Sequence, residues 1–219
     1  MERWYAVAEA IHWKHFGDVR QTFRSADQTR VASGNTVAIF DIGGNNYRIV
    51  AAIHYDKARV FVLRVMTHPE YDKKLERGFM KTTKKHARSN ELPKTYLELL
   101  GLFMLRPIHD DAELDNASEM LDRLVGRDLN KDQEDYLNAL STLVEEYESE
   151  HYPMPRVAGV DALRFLLEEN GMNASDLSRL LNCHRSLGPK ILSGERKLTT
   201  DHIRILCDRF KVSADLFLR

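Results

Sequence analysis

The chain has 219 residues, of which 43% are hydrophobic and 30% charged, and its formal net charge is -1. That length accommodates two small domains, each able to bury a core, and no apolar run approaches the ~20 residues that a membrane span needs. The opening MERWYAVAEAIHW places acids and tryptophans where a secretory leader has a basic start and an unbroken apolar stretch, so a cytoplasmic protein is expected. Cys183 and Cys207 are too few for a disulfide framework and have no metal-type spacing, so neither a metal nor another cofactor is implied.

In chain order, the near-neutral total conceals a segregation of charge: residues 1–90 carry +7, residues 91–156 carry −10 and residues 157–219 carry +2. A basic block followed by an acidic one is either a polyanion-binding domain masked by its neighbour or two solvated faces of opposite sign. Trp4, Val7, Ala8, Ile11 and Phe16 recur near helical spacing and predict one or two helices before Gly17. After the polar stretch QTRVASGN come the β-branched and aromatic runs VAIFDI, YRIVAAIHY and RVFVLRVM, separated by Gly43 and Gly44 and by Asp56 to Ala58, which predicts an antiparallel meander. A three-residue closing loop would pair Ile49 with Val65, Ala51 with Leu63 and Ile53 with Phe61 on one apolar face, covered by the helices. The other face would then carry Arg48, His54 and Arg64.

From Met80 the chain turns basic (MKTTKKHARSN), passes a short run YLELLGLFML and reaches Pro107. Asp110 with Asp111, and Asn130 with Gln133 three positions on, are helix-start signals. They precede the stripes Leu114, Ala117, Leu121, Leu124 and Leu137, Leu140, Val144, Tyr147. Two acidic helices ending at YPMP are expected. Beyond Val157, five short helices are punctuated by Gly171, Asn182, Gly194 and Val212, which predicts a small all-α domain.

GMNASDLSRLLNCHRSLGPKILSGERKLTTDHIRILCDRFKVSADLFL resembles the lambda-repressor-like helix-turn-helix family along its whole length. That resemblance implies DNA binding, with Arg185, Ser186 and Lys190 at exposed recognition-helix positions, His184 at the start of that helix, and Asn173, Ser175, Arg196 and Lys197 facing phosphates. Gly188 and Pro189 depart from the family pattern and are expected to shorten or bend the recognition helix.

The stretch from TYLELLGLFMLRPIHDD to VAGVDALRFLLEENG, with its LRPI, EDYL, LVEEYE and YPMP elements, resembles the HigA antitoxin family. The resemblance implies a toxin-contacting region followed by an operator-binding dimer. WYAVAEAIHWKHFGDVRQTFRSAD, FDIGGNNYRIVAAIHYD and VFVLRVMTHPEYDKK resemble the HigB toxin family of RelE-like ribonucleases. Those toxins cleave mRNA on the ribosome without a metal, by in-line attack of a ribose 2′-OH on the neighbouring phosphate. Such chemistry needs cations on the transition state and groups that move protons. The likeness assigns Arg48 and Arg64 to transition-state charge and His68 or Tyr71 to proton transfer. Asp72 and Lys73 complete the catalytic set, with Lys74 and Lys14 on RNA phosphates. Family members begin earlier than Glu2, Arg3 and Trp4 do here, so the toxin domain is expected to be truncated at its N-terminus.

The resulting expectation is an α+β chain: a RelE-like domain of helices and antiparallel sheet over 1–79, an acidic helical toxin-binding segment over 80–156, and an all-α helix-turn-helix domain over 157–219. It would be a fused toxin and antitoxin whose partners are mRNA on the ribosome, operator DNA and, within or between chains, its own two halves, dimerising through the C-terminal domain. The alternative is a transcriptional repressor with a vestigial, inactive toxin-like domain.

Overall fold

The computed structural model describes residues 1–30, 36–44, 46–76 and 92–218, with the backbone alone for 74–76. The basic MKTTKKHARSN stretch and the expected boundary at 79 lie outside the described residues. The chain forms two compact units, one of residues 1–29, 38–71 and 155–219 and another of residues 30–37 and 72–154. Among the described residues no helix is long and apolar enough to cross a membrane.

The first unit opens with α1 (Glu2–Glu9) and α2 (Phe16–Thr22). Gly17, expected to end the helical region, lies instead inside α2, where His15 caps the helix by accepting the Asp18 N–H. The strands β1 (Asp27–Arg30), β2 (Thr36–Ile42), β3 (Tyr47–His54) and β4 (Arg59–Thr67) form a sheet in the order β1-β2-β3-β4. The polar β1, within a stretch expected to be loop, has no apolar alternation to betray it. Ala38, Phe40 and Ile42 of β2 and Ile49 and Ala51 of β3 enter one core with Trp4, Val7, Trp13, Val19 and Phe23, so the helices cover that face as expected.

The β3–β4 register departs from the expected one. Four residues, Tyr55 to Ala58, close the hairpin, with Ala58 left-handed at φ 49°. Near the loop the pairing therefore moves by one residue: Ile53 opposes Val60 and Ala51 opposes Val62. Left uncorrected, that shift would turn Arg64 toward the apolar core. A bulge between Val50 and Ala51 absorbs it, so Ile49 meets Val65 after all and Arg64 opposes Val50 on the other face. Helix α3 (His68–Glu76) follows, its start tied by the Glu70 carboxylate, which accepts from both the N–H and the hydroxyl of Thr67 at 2.9 Å.

The second unit contains α4 (Tyr96–Leu102), α5 (Asp111–Leu124) and α6 (Lys131–His151). The expected starts are present: Asp110 caps α5, and Asn130 with Gln133 forms a reciprocal capping box on α6. Ala117, Leu121, Leu124, Leu137, Leu140, Val144 and Tyr147 are buried, as the stripes required. Asp111 accepts hydroxyl protons from Tyr147 at 3.1 Å and Tyr152 at 2.6 Å, which holds its carboxyl below the usual range. Asp115, Glu119, Asp122, Glu134, Asp135, Glu145 and Glu146 are exposed.

Residues 155–219 return to the first unit as α7 (Gly159–Glu169), α8 (Ala174–Leu180), α9 (Leu187–Leu192), α10 (Thr200–Phe210) and α11 (Asp215–Leu218). Their side chains share one core with the N-terminal helices and the sheet: Phe165 of α7 stands edge-on to Phe23 at 6.1 Å, and Phe23 to Phe40 at 5.2 Å. Backbone hydrogen bonds seal the joint. Lys211 ends α10 in the left-handed conformation, and the chain then pairs Val212 with Ile11, with His12 N–H donating to Lys211 O at 2.8 Å and Ser213 N–H to Ala10 O at 2.6 Å. Deeper in, the Trp13 indole N–H donates to the Thr22 hydroxyl at 2.7 Å, which donates to Phe210 O at 2.5 Å.

Candidate functional site

The bulge leaves Arg48 and Arg64 on one face of the sheet, opposite the helix-covered side. Arg48 opposes Met66 and Arg64 opposes Val50, which makes the two arginines diagonal neighbours across the ladder, a placement whose usual spacing is roughly 7–8 Å. Their environments differ. Arg64 is exposed, whereas Arg48 is only 8% exposed and its Nε donates to Asp41 Oδ1 at 2.7 Å across the β2–β3 ladder. The Tyr71 ring lies 5.8 Å from the Arg48 guanidinium carbon, close enough for a cation–π contact. The structure thus brings together Arg48, Tyr71 and Asp41, with Arg64 one diagonal step away.

Asp41 is the residue that sequence reasoning missed. The signal was present: a hairpin loop at Gly43 and Gly44 sets Asp41 opposite Arg48, and opposite charges directly across a ladder attract. Glu169 of α7 is also drawn into this neighbourhood. Burial, and then the nearby charge of Asp41, push its carboxyl up to about 7.

The remaining toxin-like candidates are dispersed along α3 and beyond. His68 opens α3, half-buried, its N–H donating to Asn46 O at 3.0 Å. Asp72 and Lys73 are exposed on α3, and the Lys74 side chain lies outside the described residues. Lys14 is not on a helix, as expected, but exposed in the loop between α1 and α2, where its N–H donates to the Asp18 carboxylate at 2.8 Å.

In the C-terminal helices, Asn173 caps α8, accepting from the N–H of Ser175 at 2.8 Å and of Asp176 at 3.1 Å, so its carbonyl oxygen is already engaged. Lys190 stands exposed on α9 itself. His184, Arg185 and Ser186 are exposed in the turn that precedes the helix rather than on it, and there the His184 ring accepts the Ser186 N–H. Ser175, Arg196 and Lys197 are exposed. α9 is short, as Gly188 and Pro189 suggested. Pro189 falls in its first turn, where no intrahelical N–H bond is lost. Gly188 packs so closely on α8 that a Cβ there would lie 2.1 Å from Ala174 O. Its N–H donates to the Ser178 hydroxyl at 2.8 Å.

Among the described residues no group of three or more His, Cys, Asp or Glu side chains is placed to hold a metal ion. Residues 1–74 match the HigB toxin family, described as the RelE-like toxic component of a toxin-antitoxin system. Antitoxin HigA of Escherichia coli strain K12 is 30% identical over 119 residues, which span 52% of this chain and 85% of that protein. The mRNA interferase HigB of Escherichia coli O6:H1 is 36% identical over 69 residues, 32% of this chain and 65% of that protein. The mRNA interferase toxin HigB of Escherichia coli strain K12 is 41% identical over 34 residues, covering 33% of that protein.

Proposed function

This chain belongs to the HigA antitoxin family through its C-terminal part and joins to it an N-terminal HigB-like region, and from that premise we propose that it is a toxin–antitoxin fusion. In this reading residues 1–79 carry a metal-independent mRNA endoribonuclease that acts on the ribosome. Residues 80–156 are its acidic antagonist, working within one chain or between copies. Residues 157–219 are a lambda-repressor-like helix-turn-helix domain that binds operator DNA as a dimer and represses transcription.

The observation that carries the nuclease part is the shared sheet face of Arg48 and Arg64, with Tyr71 over Arg48. Two arginines at diagonal positions on one sheet face suit the spreading charge of a pentacovalent phosphate. Tyr71, polarised by the cation beside it, or His68 at the head of α3 serves proton transfer, while Asp72, Lys73, Lys74 and Lys14 hold or orient the RNA. For DNA, α8 followed by the turn and α9 supplies the two-helix unit. Lys190, with Arg185, Ser186 and His184 ahead of it, reads base edges; Ser175, Asn173, Arg196 and Lys197 hold phosphates.

One observation favours a second reading, a repressor with a vestigial toxin-like domain. Arg48 is buried and already paired with Asp41, and the first thirty residues have become part of the core that holds α7 and α10. Both readings are tested on the intact chain, since a fragment ending at residue 79 would lose half of that core. Induction should cut ribosome-bound mRNA, detected by primer extension, and the cleavage should disappear in Arg64→Ala and Arg48→Ala. Binding to the DNA upstream of the reading frame should fall in Lys190→Ala. Upstream-DNA binding without any cleavage, at wild-type and variant alike, assigns the chain to the repressor class.

A further inference from the structure

The first unit contains a cavity of about 460 Å³ that neither activity uses, lined by Arg20, Gln21, Arg24, Asn170 and Arg209. Its walls come from two parts of the chain: α2 and the residues just after it on one side, α7 and α10 on the other. Its volume is within the range of small-molecule sites. What distinguishes it is the charge. Three guanidinium groups line one space, and few carboxylates answer them. Arg20 donates through Nε to Ala26 O at 3.0 Å and reaches the Asp27 carboxylate only at 3.9 Å. Arg209 spends its donors on neutral acceptors, Gln21 O at 3.0 Å and Asn170 Oδ1 at 3.3 Å. Among the described residues no carboxylate is paired with Arg24, which is exposed.

The site is also built from within. Asn170, 4% exposed, donates to Thr22 O and Leu166 O at 2.8 Å each while accepting from Arg209, so the backbone of both walls orients the guanidinium. Guanidinium forks of this kind match phosphoryl oxygens bidentately, and like charges gathered with few counter-charges raise the local potential toward anions.

We propose that this cavity binds a pyrophosphate group, either free or as the phosphate tail of a nucleoside di- or triphosphate, and that the anion clamps α7 and α10 onto α2. A ligand touching both walls is bound only while they are joined, so it stabilises the joint by mass action. The inference stands independently of any nuclease activity.

The test uses the intact chain at constant ionic strength. Titration with pyrophosphate should show saturable binding by calorimetry, and at a hundredfold excess over Kd it should raise the melting midpoint by about 5–10 °C. Arg24→Gln should weaken binding about tenfold and Arg24→Glu should abolish it, both with the anion-free midpoint little changed, because this side chain is exposed and among the described residues is paired with no carboxylate. Orthophosphate should bind at least about tenfold more weakly, having fewer oxygens for three forks. A nucleoside diphosphate that binds more tightly than pyrophosphate assigns the tail of a nucleotide, and equal affinity assigns the free anion. The proposal is overturned if pyrophosphate does no more than sodium chloride at matched ionic strength, if Arg24→Gln binds it as well as the parent chain, or if Arg24→Gln weakens duplex DNA binding and leaves pyrophosphate binding intact.

Discussion

Asp41 and Arg48 face each other across neighbouring strands and are joined at 2.7 Å, with the arginine side chain 10% exposed and the aspartate 33%. Removing the cation leaves a partly desolvated carboxylate behind, and removing the carboxylate leaves a nearly buried guanidinium. Arg48→Gln is expected to destabilise the chain by about 1–3 kcal/mol, and Asp41→Asn by a similar amount. The double variant should cost less than the two singles added together. Urea denaturation of the four proteins checks this coupling, and strict additivity would show that the pair does not act as a unit.

Glu169 supplies a pH dependence. Its carboxyl, ordinarily at 4.5, is raised to about 7 in the folded chain by burial and by Asp41. Folding therefore favours the protonated form. The contribution is fully present below pH 4.5 and is lost as pH rises through 7, above which an ionised, half-buried carboxylate opposes folding. Glu169→Gln should match the parent chain at pH 4 and exceed it by about 1–2 kcal/mol at pH 8, allowing for solvent screening. Melting curves at both pH values decide it, and a variant advantage that does not grow with pH removes the assignment.

Gly188 is fixed by contact rather than by backbone angle. A methyl group there meets Ala174 O and the Ser178 hydroxyl, and the first of these is backbone that cannot swing aside. Gly188→Ala should cost about 1–3 kcal/mol or more despite the higher helix propensity of alanine. Circular dichroism melts measure the loss, and a stabilised variant would mean that α8 and α9 are not held this close.

Thr22 connects the indole of Trp13 to the carbonyl of Phe210 through one hydroxyl. Thr22→Val keeps the volume and removes both hydrogen bonds, leaving a buried donor and a buried acceptor without their partner. The expected cost is about 1–3 kcal/mol. Amide exchange should accelerate in α2 and around Phe210 together, whereas protection lost on only one side would mean that the hydroxyl does not bridge them.

Elements with strong local patterns were legible in the sequence. The α5 and α6 stripes, their Asp110 and Asn130 caps and the three apolar strands all follow from periodicity and turn chemistry acting over a few residues. The register of β4 was not, because two opposite one-residue displacements, a four-residue loop and a bulge, lie within a single hairpin and cancel only from Val50 back toward Tyr47. Nor was the packing of α7 and α10 on α1 and α2. Leu163, Leu166, Leu206 and Phe210 read equally well as the private core of a small helical domain, and nothing in their spacing tells which surface they bury against. For the candidate site, Arg48 and Arg64 were recognisable by residue type, but the pairing of Arg48 with Asp41 required the β2–β3 register as well.

The Ile11–Val212 bridge bears on how the protein is made. Trp13, Phe23 and their neighbours leave the ribosome early, yet Phe165 and Val212, which help complete their surroundings, follow only 94 and 141 residues after Tyr71. At the pace of synthesis that is a wait on the order of ten seconds. During it, the apolar faces of α1 and α2 lack the α7 and α10 side chains that bury them in the folded chain.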